Sequence, residues 1–424
     1  MTVAPLTFIH AADLHLGAPL KGLARSNETW GKRLQDAMLE AYGTLIKTAV
    51  DRQVDFVILA GDTFDSARNI SYAGYRTFAE GLTKLDEAGI PVYICQGNHD
   101  PATSWRTELL RLPGNVHFFA VDGPSYELFP PKSATPSCVL AGTGYLTERW
   151  DRRRNVLTGL SRKQIASALA EENRAMPALA VGVIHTDLTK EGSYAPATRA
   201  ALVECNLDYW ALGHIHKRMV DDEANPTVVY PGVLQGHDIN ESGPKGFYLV
   251  TLEQGRPNKA EFIAASPVLW DNITVDVSEA ETIADIASMV EAEALVRLAD
   301  GAPAQALCFR ATLVGTTPLS GTLKSSEILE EMADRITEHA DLYCDKVTSA
   351  TRTPRDMDAL RAGSLFASEL ILQADAAKVN PEAIREKATQ AVSKYASDIP
   401  DDLDWSSLVD EAIDDLLNKL MGGE

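Results

Sequence analysis

The sequence predicts an α/β fold followed by a small α+β unit and a helical C-terminal region. Short apolar strands alternate with amphipathic helices over residues 1–266. Several of these strands run directly into a polar turn, as in FVILAGD and VYICQGNHD. Buried strands that feed loops of polar residues are how α/β enzymes build their sites. A length of 424 residues allows two or three domains.

The elements of residues 1–266 follow from the spacing of apolar side chains. A helical period is clear in Trp30–Arg52, where Leu34, Met38 and Leu45 recur on one face. The other predicted helices are Tyr72–Ala88 and Arg162–Arg174. The predicted strands are Thr7–Ala12, Phe56–Ala60, Val92–Gln96, Ser137–Ala141, Ala180–His185, Tyr209–Gly213 and Phe247–Leu252.

Residues 267–354 are predicted to form an α+β capping domain, and residues 355–424 an acidic helical region. The helical region has breaks near Asn380-Pro381 and Ile399–Asp404. The capping domain alternates strands and helices in the order Asn272–Val277, Thr282–Leu298, Ala306–Val314, Ser325–His339 and Tyr343–Thr348.

The net charge of −21 is concentrated in the C-terminal part of the chain. Residues 267–424 hold 13 Lys and Arg against 30 Asp and Glu, a net charge of −17. This acidity does not exclude a polyanionic substrate, but it does not support one either. The N-terminal apolar run is interrupted at Asp13 and is too short to span a membrane. Five scattered cysteines suit a reducing cytoplasm better than a disulfide framework.

Polar side chains with metal-binding chemistry follow five of the predicted strands. Asp13 and His15 lie at i and i+2, which puts both side chains on the same side of a strand end. His214 and His216 repeat this spacing after a later strand. Five such motifs in order, each directly after a buried strand, predict a single site. The remaining residues of that site are Asp62, Asn98, His99, Asp100 and His185.

This mixture of carboxylate, amide and imidazole groups suits two divalent ions such as Mn, Fe or Zn better than Ca or Mg. Two cations about 3.5–4 Å apart lower the pKa of a water molecule and neutralise phosphoryl oxygens. Hydrolysis of an anionic phosphate ester needs both effects, and one histidine is left over for acid catalysis. The set therefore predicts a two-metal phosphoesterase.

The motifs resemble those of the calcineurin-like metallophosphoesterases, which are D-x-H, GD, GNHD, H and GHxH. More narrowly, the chain is similar to bacterial DNA-repair exonucleases related to the SbcCD nuclease subunit, and most to their YhaO-type branch. The resemblance implies a central sandwich of two sheets flanked by helices. The segments that carry the narrower resemblance are FIHAADLHLG, GDTFD, ALGHIHKR, YPGVLQG and ESGPKGFYLV.

Carried over position by position, the resemblance implies two groups of metal ligands and one bridge. Asp62 would bridge both metals, and His99 would protonate the leaving oxygen or stabilise the transition state. Asp100 would orient and charge His99. Asp65 stands where some relatives have a phosphate-positioning histidine, so we assign it no catalytic role. The first metal would be bound by Asp13, His15 and His216, and the second by Asn98, His185 and His214.

Four other histidines need an interpretation. His10 points to the opposite side of its strand from Ala11 and is predicted to be structural. His117 and His339 are predicted to be core or surface residues. His237 lies in a loop that would reach the site, so contact with the substrate and an ordinary loop role are equal alternatives.

The densest basic stretch of the chain is RWDRRR at residues 149–154. Guanidinium groups beside an aromatic ring can grip a nucleic-acid backbone and stack a base. We predict that Arg152, Arg153 and Arg154 bind DNA phosphates. A solvated loop with Trp150 in the core explains the stretch equally well.

Three functions compete. The first is a Mn-dependent DNA exonuclease, with single-strand endonuclease activity an option, coupled to an ABC-type ATPase that has a coiled-coil arm. The second is a phosphatase or phosphodiesterase that acts on small esters with the same metals. The third is a non-enzymatic DNA-binding or partner-binding subunit, which the intact metal set disfavours. A homodimer through the helices at residues 72–88 and 103–112 stays open, because packing on the sheet explains them as well.

Overall fold

The computed structural model describes residues 4–18, 27–65, 72–105, 112–188, 194–222, 225–363, 365–391 and 403–420. The chain divides into two compact units. The first comprises residues 1–272, 294–310 and 337–345. The second comprises residues 273–293, 311–336 and 346–424.

Two six-stranded sheets form the centre of the first unit. One sheet has the strand order β12-β11-β1-β2-β3-β4, and the other has the order β5-β6-β7-β8-β10-β9. The strands of the first sheet are β1 (Leu6–Ala11), β2 (Phe56–Ala60), β3 (Val92–Cys95), β4 (Val116–Phe118), β11 (Gly246–Leu252) and β12 (Lys259–Ala264). Those of the second are β5 (Ser125–Phe129), β6 (Cys138–Thr143), β7 (Leu179–His185), β8 (Tyr209–Gly213), β9 (Met219–Asp221) and β10 (Thr227–Tyr230).

The two sheets pack face to face over a shared apolar core. Phe8 of β1 stacks on Phe56 of β2 within the first sheet, with ring centroids 4.7 Å apart. The same Phe8 ring meets Tyr209 of β8 edge to face at 5.5 Å. These side chains are fully buried. Since β1 to β4 are parallel to one another, as are β6 to β8, their carboxyl ends lie at the same edge of each sheet.

Helices cover the outer faces of this sandwich. The longest begins after Asn27, whose side chain accepts a hydrogen bond from the backbone N–H of Trp30 and caps the first turn. Its buried residues recur at helical spacing and face the first sheet, as the sequence pattern predicts. The helices are α1 (Glu28–Asp51), α2 (Tyr72–Glu87), α3 (Arg162–Glu171) and α4 (Arg199–Glu204).

The C-terminal elements comprise a three-stranded sheet and six helices within the described residues. The strands, β13 (Val268–Asp276), β14 (Ala306–Val314) and β15 (Leu342–Ser349), lie side by side in that order. In the second unit, Ala367, Ile371 and Leu417 bury a small core of their own. The helices are α5 (Ile283–Asp300), α6 (Ser326–Thr337), α7 (Met357–Ala362), α8 (Leu365–Val379), α9 (Pro381–Ala391) and α10 (Trp405–Leu420).

The predicted two-sheet α/β architecture with C-terminal helices is confirmed. The sequence did not predict β4, β5, β9, β10 or β12, and three of these strands have no fully buried residue. A half-exposed strand of three to six residues gives too little apolar pattern to detect. The break predicted at 399–404 and the helix predicted at 103–112 lie partly outside the described residues. Within the described part, residues 102–104 form a single 3-10 turn. Among the described helices, none is long and apolar enough to cross a membrane.

Candidate functional site

The candidate site lies where the carboxyl ends of β1, β2, β3, β7 and β8 meet. The loops after β1 and β2 are joined by two backbone hydrogen bonds, from Asp13 N–H to Gly61 O and from His15 N–H to Asp62 O, both 3.0 Å long. Asp13, His15 and Asp62 all have φ between 45° and 49°. Residues other than glycine adopt this left-handed conformation at an energetic cost, and such positions cluster at functional sites.

Glycine precedes several site residues because no side chain fits there. A Cβ added to Gly61 would lie 2.3 Å from the Nδ1 of His185. One added to Gly97 would lie 2.1 Å from the carboxylate of Asp62. The loops therefore approach the neighbouring ligands more closely than a side chain would allow, which explains the GD and GN pairs in the sequence.

The first ligand group predicted from the sequence, Asp13, His15 and His216, is brought together. One ligand atom from each residue lies within 4.8 Å of the others. The Nε2 atoms of His15 and His216 are 3.2 Å apart. The Asp13 carboxylate also accepts hydrogen bonds of 3.0 and 3.1 Å from the backbone N–H of His214, which ties the ends of β1 and β8 together.

The second group, Asp62, His185 and His214, also has its ligand atoms within 4.8 Å of one another. The Oδ1 of Asn98 joins this group, since it lies 3.1 Å from His185 Nε2 and 3.2 Å from His214 Nδ1. The Oδ2 of Asp62 is 3.3 Å from His185 Nε2 and 3.8 Å from His15 Nε2. Asp62 thus stands between the two groups.

The side chains present fit two divalent cations. An ion about 2.0–2.2 Å from nitrogen and oxygen ligands keeps those ligand atoms about 3–4 Å apart. The contacts of 3.1–3.3 Å within the two groups lie in this range. The Nε2 atoms of His15 and His216 face each other at 3.2 Å, and a cation bound by both would explain this arrangement. Asp13, His15, Asp62 and His185 are each 0–2% exposed, a degree of burial that charged and imidazole groups seldom have without a partner.

The outer nitrogens of two ligand histidines have partners that fix the ring proton. His185 Nδ1 lies 3.0 Å from Ala60 O, and a carbonyl can only accept. The Nδ1 of His216 likewise donates to Glu241, at 2.5 Å from Oε1. In both rings Nε2 is therefore left to face the site, an orientation that metal-binding histidines commonly receive from such partners.

Glu241 is a candidate site residue that the sequence analysis did not identify. Its second oxygen accepts a 2.7 Å hydrogen bond from the backbone N–H of His237, which fixes the loop on which both residues lie. Burial alone would raise the pKa of this carboxyl, but the bond from His216 outweighs it and lowers the pKa to about 2. The available signal was its position at the start of ESGPKGFYLV, after the predicted motifs.

The charges of the site residues are strongly interdependent. Burial alone would lower the pKa of His185, but the neighbouring Asp62 carboxylate raises it to about 9. Burial, followed by the charge of His185, lowers the pKa of His214 to about 4. Burial raises the pKa of Asp13. A site that bears this much buried carboxylate charge favours cationic occupants.

The hydrogen bonds of Asp100 differ from those expected of a residue that orients His99. Its carboxylate accepts backbone hydrogen bonds from Asp62, Thr63 and Gly97 at 2.8–3.1 Å, and so joins the loops after β2 and β3. Burial, and then the charge of Asp62, raises its pKa to about 7. The described hydrogen bonds of this carboxylate therefore run to the loop backbone and not to the His99 ring.

The His99 ring instead faces Asp65. Its Nδ1 lies 3.1 Å from the main-chain oxygen of Asp65 and 3.7 Å from the carboxylate. The same carboxylate oxygen is 3.5 Å from His15 Nδ1. The imidazole of His99 is about half exposed, with a side-chain exposure of 46%. Asp65, to which the sequence assigned no role, therefore lies between a metal-ligand candidate and the candidate acid.

His237 lies beside the first ligand group, as one of its two sequence interpretations required. Its ring centroid is 5.6 Å from that of His15, and its Nε2 is buried without a hydrogen-bond partner. Burial, and then the charge of His15, lowers its pKa to about 4. Its ligand atoms do not join either described metal-ligand group.

The basic stretch lies on a loop whose aromatic residue is buried. The indole N–H of Trp150 donates to Arg154 O, and the ring packs against Tyr145. Arg154 itself donates to Val121 O and covers the Trp150 ring, while Arg153 pairs with Asp151. Of the three arginines proposed to bind DNA, only Arg152 is exposed without a described partner.

The remaining histidines lie apart from the ligand groups. His10 is buried between the Tyr209 hydroxyl and Leu212 O, and burial lowers its pKa to about 3. His117 stacks on Tyr93 and lies near Glu127. His339 accepts a hydrogen bond from the backbone of Asp341. All three have structural surroundings.

Comparison with known proteins agrees with this geometry. A family model described as calcineurin-like phosphoesterase matches residues 6–218. A second model, described as metallophosphoesterase YhaO, middle domain, matches residues 270–352. The metallophosphoesterase YhaO of Bacillus subtilis is 36% identical over 317 residues, which cover 74% of this chain and 72% of that protein.

Two more distant relatives have names that state a role. The DNA double-strand break repair protein Mre11 of Aeropyrum pernix is 24% identical over 241 residues, which cover 56% of each chain. A subunit of the nuclease SbcCD from Escherichia coli is 26% identical over 287 residues, which cover 60% of this chain and 67% of that relative. The resemblance inferred from the sequence motifs is confirmed.

Proposed function

Because the chain belongs to the calcineurin-like phosphoesterase family, we propose that it is a Mn-dependent DNA exonuclease that acts in DNA repair through a two-metal site. The observation that carries the phosphoester chemistry is the position of Asp62 between two groups of ligand atoms, each gathered within 4.8 Å. Mn²⁺ is proposed because mixed carboxylate, amide and imidazole ligands suit it, with Fe or Zn as alternatives.

Each ligand has a role in the proposal. Asp62 would bind both ions, and Glu241 and Ala60 O orient the rings of His216 and His185. Two bound cations would lower the pKa of a water molecule and offset the charge of the phosphate. The first ion would be held by Asp13, His15 and His216, and the second by Asn98, His185 and His214.

His99 is the proposed acid for the leaving oxygen. Its ring is about half exposed, so a substrate can reach Nε2, while Nδ1 is directed to the main-chain oxygen of Asp65. A carbonyl accepts only, so Nδ1 keeps its proton and this bond orients the ring. The proton given to the leaving oxygen is a second one, carried on Nε2 of the doubly protonated imidazolium. Asp65 is thus a positioning residue, and Asp100 acts one step further away by holding the loops together.

DNA as the substrate is supported by two kinds of observation. The relatives include proteins named as a nuclease subunit and as a DNA double-strand break repair protein. In addition, Tyr194 is 42% exposed and its ring lies 4.8 Å from that of His214. An exposed aromatic ring beside a phosphate site can stack on a base, which a small phosphate ester does not require. His237 and Arg152 are further candidates for substrate contact.

The proposal also covers the domains of the chain and a partner protein. We assign residues 1–266 to the nuclease domain, 267–354 to a capping domain and 355–424 to an acidic helical region. An ABC-type ATPase with a coiled-coil arm is the proposed partner, and the acidic helices its docking region. The described cysteines are all free and buried, in keeping with a proposed cytoplasmic location.

The alternative is a phosphatase or phosphodiesterase for small esters, since the same ligand groups would support it. One experiment separates the two functions. Metal-free protein would be reloaded with Mn, Mg or Zn and offered end-labelled duplex DNA, single-stranded DNA and a chromogenic phosphodiester. We expect shortening of DNA from its ends, fastest with Mn. Turnover of the small ester alone would reject the nuclease and retain the phosphoesterase.

A further inference from the structure

A third group of metal-binding atoms lies beside the two proposed metal positions. It consists of His15, Asp65 and His99, which follow β1, β2 and β3 respectively. Asp65 Oδ1 is 3.5 Å from His15 Nδ1 and 3.7 Å from His99 Nδ1. A tetrahedral ion about 2.0–2.1 Å from its ligands would separate them by about 3.4 Å. Small side-chain movements would close this geometry.

A buried nitrogen without a close hydrogen-bond partner points into this group. His15 is 2% exposed, and its Nδ1 faces the Asp65 carboxylate at 3.5 Å, which is too long for a well-formed hydrogen bond. The first ligand group uses the other edge of the ring, where Nε2 faces His216. A buried polar atom with only a distant partner is costly, and a cation bound by both His15 Nδ1 and the Asp65 carboxylate would satisfy it. Nδ1 is therefore available to an ion that the dimetal site does not use.

We propose that His15, Asp65 and His99 form a third cation site that is selective for zinc and inhibits the enzyme. Two imidazoles and one carboxylate are a zinc-type ligand set that leaves a position open for water. At nitrogen-rich sites Zn²⁺ binds more tightly than Mn²⁺. Asp65 and His99 are partly exposed, with side-chain exposures of 28% and 46%, so an ion can enter from solvent.

The inhibitory effect rests on the proposed function, whereas the binding site itself does not. A zinc ion on Nδ1 of His99 would replace the proton on that nitrogen, which would pass to Nε2 or to solvent. It would also displace the hydrogen bond to Asp65 O and turn the ring away from the leaving oxygen. It would also share His15 with the first metal, because each ring nitrogen would bind one ion. Such sharing requires His15 to release its remaining ring proton to solvent, since a ligand nitrogen needs a free lone pair.

Metal content tests the site without reference to activity. Full-length protein stripped with chelator would be loaded with Mn or Zn, desalted and analysed by mass spectrometry of the metals. We expect two equivalents of Mn and three of Zn, and two of Zn after Asp65→Ala. The matched control is His117→Ala, which removes a histidine 3.6 Å from Glu127 that has no third described ligand. This control should retain three zinc ions.

Inhibition is measured separately, as the effect of added zinc on the Mn-loaded enzyme. We expect zinc to inhibit the wild type and His117→Ala equally. The zinc concentration that halves the rate of Asp65→Ala, relative to its own uninhibited rate, should be at least about 10-fold higher. Asp65→Asn, a smaller change, and thermal unfolding of each variant test whether a loss of zinc results from misfolding. Two zinc ions in the wild type, or three in Asp65→Ala, would overturn the third site. Failure to bind two Mn would instead count against the proposed dimetal function.

Discussion

The Nδ1 of His99 lies 3.1 Å from the main-chain oxygen of Asp65, and the carboxylate of the same aspartate lies between the rings of His99 and His15. One residue therefore contacts both the candidate acid and a candidate metal ligand. The hydrogen bond to the main chain would persist in any Asp65 variant that folds, whereas the negative charge would be lost. This difference allows the two contributions to be measured separately.

For His99→Ala, we predict normal metal content and a large loss of turnover. General acid–base groups typically contribute about 10²–10⁴-fold to the rate, and no other described residue replaces this ring. Asp65→Asn should lose less, because the backbone acceptor for Nδ1 remains. The measurements are kcat, KM and bound metal for each variant. Near-normal kcat in His99→Ala would exclude the acid role.

Asp62→Ala should lose both metals, because its carboxylate lies between the two ligand groups. Asp55→Asn is a matched control beside the same strand, since its carboxylate binds the Thr7 backbone N–H and lies outside the ligand groups. Metal analysis of the purified variants tests the prediction. Two tightly bound ions in Asp62→Ala would contradict the bridging assignment.

Glu241→Gln should weaken metal binding at the first position. The glutamine amide cannot serve as a charged acceptor for His216 while it also accepts from the His237 backbone. Loss of such an orienting partner typically costs about 10–100-fold in metal affinity. Stepwise Mn titration should show one weakened and one unchanged site. Two unchanged sites would show that Glu241 does not orient the ligand.

Tyr194→Ala should weaken binding of single-stranded DNA, whereas Tyr194→Phe should not. Base–aromatic stacking is typically worth about 1–3 kcal/mol per base, and phenylalanine retains the stacking face. Turnover of a small phosphodiester should change much less, because such a substrate has no base to stack. Equal loss of both activities in Tyr194→Ala would mean that the ring supports His214 instead.

Of the three arginines predicted to bind DNA phosphates, Arg152 and Arg153 are exposed and can be tested by substitution. Arg154 holds Val121 O and the Trp150 ring, so its removal would disturb the loop itself. Arg152→Ala with Arg153→Ala leaves these contacts intact. If both arginines bind phosphates, the slope of log K against log salt should fall by about 0.9 per arginine on duplex DNA. An unchanged slope and affinity would exclude this loop from the interface.

The sequence predicted the strands in which a continuous apolar run is followed directly by polar residues. The buried strands β1, β2, β3, β7 and β8 each show a continuous apolar run followed by polar ligands. Parallel strands place those candidate ligands at one edge of the sheet. The sequence could therefore predict that Asp13, His15, Asp62 and the later histidines belong to one site. Short, half-exposed strands such as β4 and β9 carry no comparable signal.

The sequence by itself determined the α/β fold and the set of candidate ligand residues, because apolar period and residue chemistry are local properties of the chain. Only the tertiary structure decided how those residues are oriented. Glu241 reaches His216 across 25 positions, Asp65 reaches both His15 and His99, and Asp100 joins two loops by their backbone N–H groups. Such contacts depend on which loops meet and on side-chain direction, and neither has a period that a sequence can display.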